Sequence, residues 1–335
     1  MNGVTISSIQ KALSPDVFIK RPLLGFSYIL RDMLFWSSTV YTFSLVEKTY
    51  FNTGMYWALS GFWMWCLFMN GHDSGHGSFS DSWALNTLSG HLSHVPILVP
   101  YSTWANSHQH HHTGHNHVKE DYSHAWAPAH ATKDARTRAL QCSGLFPNFG
   151  WLIYMLGIPD GGHWVPFGGR LWQGADISRR IHGIVSSALC ASFACSVYAL
   201  CGSATSFLIW YGGPWLAFCW WITTVTYLQH HDNAVEDTLV YDDGSWTYLK
   251  GALQTVDRSY GYMIDNLTHN ITDGHIVHHL FFTSIPHYNL ARATKQLYKY
   301  LDDNDVKYKH RRTPFFFWDI YKMTWYNLNE ATLVK

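Results

Sequence analysis

Charged residues are scarce in this 335-residue chain. They make up 14% of it, against about 25% in an ordinary soluble domain. The 23 basic and 23 acidic residues cancel, so no excess of positive charge points to a nucleic-acid partner. Paired cysteines are also missing. None of Cys66, Cys142, Cys190, Cys195, Cys201 and Cys219 belongs to a C-x-x-C pair, and five of them sit in or beside apolar runs, where a thiol packs as a small hydrophobe. That argues against a disulfide framework or a zinc–thiolate site, and for a reducing compartment. No signal peptide is expected, because the first apolar run follows a polar segment carrying Lys20, Arg21 and Arg31. Nor is the start Arg/Ser-rich enough for a transit peptide.

Aromatic residues and histidine are abundant: 17% of the chain is Phe, Trp or Tyr, and there are 22 histidines. The mean hydropathy of −0.11 averages polar-scoring histidines with long apolar blocks. Thr49 to His72 contains FNTGMYWALSGFWMWCLFM, free of Asp, Glu, Lys and Arg and close to the ~20 residues that cross a bilayer. His182 to His231 holds two such runs, IVSSALCASFACSVYAL and FLIWYGGPWLAFCWWITTVTYL, split by GSATS. A shorter run, MLFWSSTVYTFSLV, pairs with the Phe51 block through EKTY. These lengths and Trp-rich flanks predict an all-α integral membrane protein with four transmembrane helices in two hairpins, near 30–48, 51–70, 183–201 and 206–228. The charge-free segment 84–101 reads as an interfacial or re-entrant helix, given its Gly, Pro and His content. The whole, 1–335, is expected to be one domain, with a cap formed by 71–182 and 229–335.

Orientation follows from the basic residues. The turn between the first two spans holds only Lys48, and GSATS holds none. Every other Lys and Arg precedes span one or lies at its mouth (Arg31), between spans two and three, or after span four. The excess of positive charge on cytoplasmic loops therefore puts both termini and the cap in the cytosol.

On that side the histidines fall into three clusters. GHDSGHGSFS carries His72 and His76. SHQHHHTGHNH packs six histidines into positions 108–117, among them His108, His111 and His112. DGHIVHHLF carries His275, His278 and His279. Residues at i, i+3 and i+4 share a helix face with Cβ atoms about 5–6 Å apart, so each cluster can aim its imidazoles at one point. Zinc takes four protein ligands, or three and a water, so eight histidines suit two metal ions with open positions. Imidazole binds iron, zinc, copper and nickel alike, and ligand type alone does not choose among them. Isolated histidines such as His124, His130, His163, His182 and His310 read as structural or surface residues.

The boxes HDSGH, HQHHH and HIVHH, in this order around the second hairpin, resemble those of the membrane-bound fatty acyl desaturases. More narrowly, the chain is similar to the methyl-end group of oleate delta-12 and omega-3 desaturases. DVFIKRPLLGFSYILRD, VPYSTWANSHQHHH, YLQHHD, GALQTVDRSYG and HHLFFTSIPHYNLARAT carry the likeness from about Pro15 to Tyr298. It implies a four-span anchor under a cytosolic helical cap that holds a His-ligated di-iron site. The pattern W-x-x-S-H-x-x-H-H, met by Trp104, Ser107, His108, His111 and His112, implies that His110 is not a ligand. His230 in YLQHHD matches a further family histidine, although its neighbour His231 stands where a small residue is common. The implied ligand set is His72, His76, His108, His111, His112, His230, His275, His278 and His279. His94 and His269 also fall at family histidine positions, as ligands or supports. Asp73, Asp121 and Asp273, beside ligand histidines, are placed to accept their second N–H. Ser74 stands where Cys is frequent in the first box.

The same resemblance implies the chemistry. An unactivated methylene resists side-chain acid–base catalysis, so the metal and dioxygen must act on it. Two hydrogens leave, and a cis double bond and water form. The two electrons are expected from a separate cytochrome b5 and its reductase, since no His-Pro-Gly-Gly marks a fused one. The basic segment Lys307–Arg312 would face that acidic partner or anionic headgroups. The substrate is a membrane lipid or CoA-linked acyl chain in the endoplasmic reticulum. Trp220, Trp221, Thr223, Thr224 and Thr226 on span four are the candidate tunnel lining. Hydroxylase, epoxygenase and acetylenase outcomes share this scaffold. A His-rich metal transporter would need ionisable ligands at the bilayer midplane, and the spans are nearly free of them.

Overall fold

The computed structural model describes residues 3–121, 123–124, 126–157, 162–167 and 169–335. It is mostly helical, and the chain divides into two compact units. One comprises 21–107 and 148–223, the other 1–20, 108–147 and 224–335.

In the first unit, the helices Pro22–Leu45 and Tyr50–His76 lie side by side. The former begins earlier than its apolar run suggests, because Pro22 sits in the first turn, where its fixed φ and missing N–H cost nothing. The helix thereby includes Asp32, which is fully buried and accepts from Asn70 Nδ2 at 2.9 Å and from Arg31. Thr49 caps the next helix by accepting from Asn52 N–H. Between the two helices Phe43 stacks on Tyr56 at 4.1 Å and Phe35 on Trp63 at 4.7 Å. The charge-free segment forms the helix Trp83–His94, capped by Ser82.

Ile177–Cys201 starts at the Asp176 cap and ends at Gly202, whose φ of 71° suits glycine. Among the described residues it alone is long and apolar enough, by composition, to cross a membrane. Only 11% of its apolar window is buried, unlike the core helix of a soluble protein. After Ala204–Phe207 comes a π-helical stretch, Leu208–Gly212, and then Gly213–His230. The wider π turn perturbs the ordinary hydrogen-bond ladder. Ring groups bind carbonyls there: Trp57 Nε1 donates to Ile209 O at 2.9 Å and Tyr56 OH to Trp210 O at 2.6 Å.

The second unit corrects the all-α expectation. A three-stranded parallel sheet has Glu330–Val334 at its centre, flanked by Ala127–Pro128 and Leu239–Tyr241. A separate parallel pair aligns Val256–Ser259 with Lys309–Arg312. The strands run to five residues at most, and VDRS and KHRR lack apolar alternation, so no sequence period announces them. The helix Leu290–Asp303 buries Leu290, Ala293, Thr294, Leu297 and Leu301, one face at helical spacing. The basic segment near Lys309 is engaged within this unit. Arg311 pairs with Asp232 at 2.9 Å, His310 with Asp273 at 2.7 Å, and Lys309 donates to Gln254.

Candidate metal centre

Within the second unit, short helices deliver the imidazoles. Residues 108–114 end the helix Tyr101–Gly114, 224–230 end Gly213–His230, and His275–Phe281 forms two turns whose seven residues are all buried. His108, His112 and His278 bring ring nitrogens within 4.8 Å of one another, and so do His111, His230 and His279. The Nε2 atoms face each other: His111 to His230 at 3.2 Å, His230 to His275 at 3.1 Å and His275 to His279 at 3.1 Å. His112 Nε2 lies 3.1 Å from His108 and 3.2 Å from His278. In the first unit, His72 and His76 sit one turn apart on Tyr50–His76, with Nε2 atoms 3.3 Å apart.

Burial, joined by neighbouring imidazoles, holds the His230 and His279 rings well below the usual histidine range. They are therefore neutral at physiological pH, each with one lone pair. Asp121 is buried, which opposes its ionisation. The His111 ring and its hydrogen bond outweigh that and keep the carboxyl at about 2. An ionised carboxylate only accepts, so His111 Nδ1–H donates to Asp121 Oδ1 at 2.8 Å, and His111 Nε2 offers its lone pair to the cluster. Asp121 Oδ2 accepts from Asn116 N–H at 3.0 Å. Converging neutral nitrogens of this kind fit a soft or borderline divalent metal.

The other expected residues have the following surroundings. Asp73 Oδ1 is 3.9 Å from His72 Nδ1, outside hydrogen-bond range. Asp273 binds His310. His94 stacks on Phe68 and its Nε2 contacts the Phe68 carbonyl at 3.1 Å; His269 packs edge-on against His287. Thr223 Oγ1 accepts from Trp151 N–H at 2.9 Å, Trp220 and Trp221 meet edge to face, Thr224 is fully buried and Thr226 half-buried.

Two neighbours escape a search for spaced boxes. His124 is buried, with its ring 5.5 Å from that of His111 and 4.7 Å from that of His230. His115 is buried 4.9 Å from His279 and its Nδ1 contacts the His112 carbonyl. Burial lowers both to about 4. The only signal for His115 is its position in the SHQHHHTGHNH run; nothing marks His124.

Known proteins resemble this chain over most of its length. The fatty acid desaturase family profile matches residues 51–312. The chain is 36% identical to the Delta(12) fatty acid desaturase fat-2 of Caenorhabditis elegans, over 97% of this chain and 86% of the relative. It is 38% identical to an endoplasmic reticulum omega-3 fatty acid desaturase of Vigna radiata, covering 87% and 76% of the two chains. It is 36% identical to the acyl-lipid omega-3 desaturase (cytochrome b5), endoplasmic reticulum, of Arabidopsis thaliana, covering 87% and 75%. This chain belongs to the fatty acid desaturase family.

Proposed function

We propose that the chain is an oxygen-dependent acyl desaturase that places a cis double bond toward the methyl end of an already unsaturated acyl chain, at the delta-12 or omega-3 position. The observation that carries this reading is the convergence of His111, His230 and His279 in a chain related to both kinds of desaturase. Two iron ions would be held by His72, His76, His108, His111, His112, His230, His275, His278 and His279. Iron bound there supplies the dioxygen chemistry that an unactivated methylene requires.

The residues of the chain do the rest. The buried, neutral His230 and His279 rings present lone pairs and no protons to the metal. Asp121 fixes the tautomer of His111, and His94, His269 and Asp73 stand as candidate supports. Burial of the helix His275–Phe281 keeps bulk water away. Trp220, Trp221, Thr223, Thr224 and Thr226 are the proposed path for the acyl chain. Four spans, near 30–48, 51–70, 183–201 and 206–228, would anchor one domain in the endoplasmic reticulum, with the histidines on the cytosolic side. Names of relatives support that location and cytochrome b5 as electron donor.

Expression in a yeast whose lipids are only monounsaturated, with chromatography of fatty acid methyl esters, tests the reading. New linoleate indicates delta-12 action. A trienoic product only after linoleate feeding indicates omega-3 action. Hydroxylated products alone, or no product from accumulated protein, overturn it.

A further inference from the structure

The strand Val256–Ser259 carries two fully buried ionisable residues in succession, Asp257 and Arg258. Neighbouring side chains on a strand point to opposite faces, and here each meets the end of a different histidine-bearing helix. Asp257 Oδ1 accepts from Ile276 N–H at 2.8 Å, in the first turn of His275–Phe281, while Oδ2 accepts from Tyr298 OH. Arg258 Nε donates to Leu228 O in the last turn of Gly213–His230, and Nη2 to His231 O just beyond it at 2.8 Å. Nη1 reaches Asn233 Oδ1 and Thr313 Oγ1.

These contacts match what the helix ends lack. The first N–H groups of a helix have no partner within it, nor do its last carbonyls. A carboxylate is favoured at the first end and a cation at the second. The strand therefore ties together the helix end carrying His230 and the helix start carrying His275, whose Nε2 atoms are 3.1 Å apart. We propose that Asp257 and Arg258 are positioning residues that set the mutual orientation of His230 and the His275–His279 box. This rests on the metal-centre reading above and adds to it what holds two of the ligand-bearing helices in register.

The test uses full-length protein purified in detergent, with iron per chain measured by mass spectrometry and iron release followed against a chelator. Asp257→Asn and Arg258→Lys keep size and, in the second case, charge. Each is expected to release iron roughly tenfold faster than the parent or more, the usual scale for lost support around metal ligands. Lys133→Met, which breaks the Lys133–Glu330 pair (2.7 Å) involving the three-stranded sheet, supplies the control. It is expected to lower the melting temperature and leave iron release unchanged. Tyr298→Phe removes one hydroxyl from Asp257; it is expected to shift release in the same direction by a smaller factor, and it carries the test should the other two fail to accumulate. Release that tracks melting temperature equally across all variants, Lys133→Met included, overturns the positioning role and leaves the metal centre standing. Parent protein purified active but without iron overturns the metal-centre reading, and this inference with it.

Discussion

Asp121 and His111 are joined by a 2.8 Å hydrogen bond between two buried side chains. The carboxylate lies ten residues after the histidine, beyond the helix that carries it, so the bond depends on the fold of the loop. Asp121→Ala should lower iron affinity about 10- to 100-fold and desaturation with it. Asp121→Asn should do less harm, because the amide oxygen can still accept from Nδ1–H. Iron per chain, measured for both variants, checks the order.

His230 and His110 make a matched pair for a second test. His230 stands in a group of converging nitrogens, whereas among the described residues His110 belongs to no such group. His230→Ala should abolish product and reduce bound iron. His110→Ala should keep at least half the parent activity. Fatty acid analysis of yeast expressing equal amounts of each variant decides it, and loss of activity in His110→Ala would revise the register of the second box.

A pH dependence follows from the His310–Asp273 pair. The hydrogen bond to Asp273 raises His310 above its ordinary value of 6.5. Its protonated form is thus favoured in the folded state. The pair's contribution is fully present below pH 6.5 and is lost as pH rises through the elevated folded value. Both side chains are more than a third exposed, so solvent screening limits the effect to at most about 1 kcal/mol. The melting temperature of the parent should exceed that of His310→Gln at pH 6 and converge with it near pH 9.

The three boxes, and the helices that present them, are legible because a helix repeats every 3.6 residues and histidine is an infrequent residue. The apolar blocks likewise announce the helices Tyr50–His76 and Ile177–Cys201. What escapes is anything fixed by tertiary contact. GALQTVDRSYG is recognisable as a family flank, yet nothing in its spacing says that Asp257 and Arg258 end up against two different helices. His124 looks like any isolated histidine, and only the loop's path brings it beside His230. The short parallel strands pair across gaps of 50 to 200 residues, beyond the reach of local pattern.

Two glycines of one helix should respond in opposite directions to alanine. A Cβ at Gly61 would meet Ala217 Cβ at 2.5 Å, whereas one at Gly54 has nothing within 4 Å. Alanine is worth about 1 kcal/mol over glycine inside a helix, and overpacking costs about 1–3 kcal/mol. Gly54→Ala should raise the melting temperature in detergent and Gly61→Ala should lower it. A rise in both would mean that the helix Tyr50–His76 and the chain around Ala217 pack less closely than described.

The proposed cytosolic placement predicts that the sequons Asn266-Leu-Thr and Asn270-Ile-Thr stay unmodified in a eukaryotic host. Glycosidase treatment should leave the protein's electrophoretic mobility unchanged. A mobility shift abolished by Asn266→Gln or Asn270→Gln would invert the topology.

The three-stranded sheet imposes an order on biogenesis. Its central strand, Glu330–Val334, comes after every other element in the sequence; until it arrives Leu239–Tyr241 has only its bridge to His117, and the two outer strands cannot be joined. A ribosome will have finished all the histidine boxes, and some fifty residues beyond His279, before the sheet can close. Folding of this unit is therefore not complete until residues 330–334 have left the ribosome, and nascent chains stalled before residue 330 should be cut by protease more readily than the full chain.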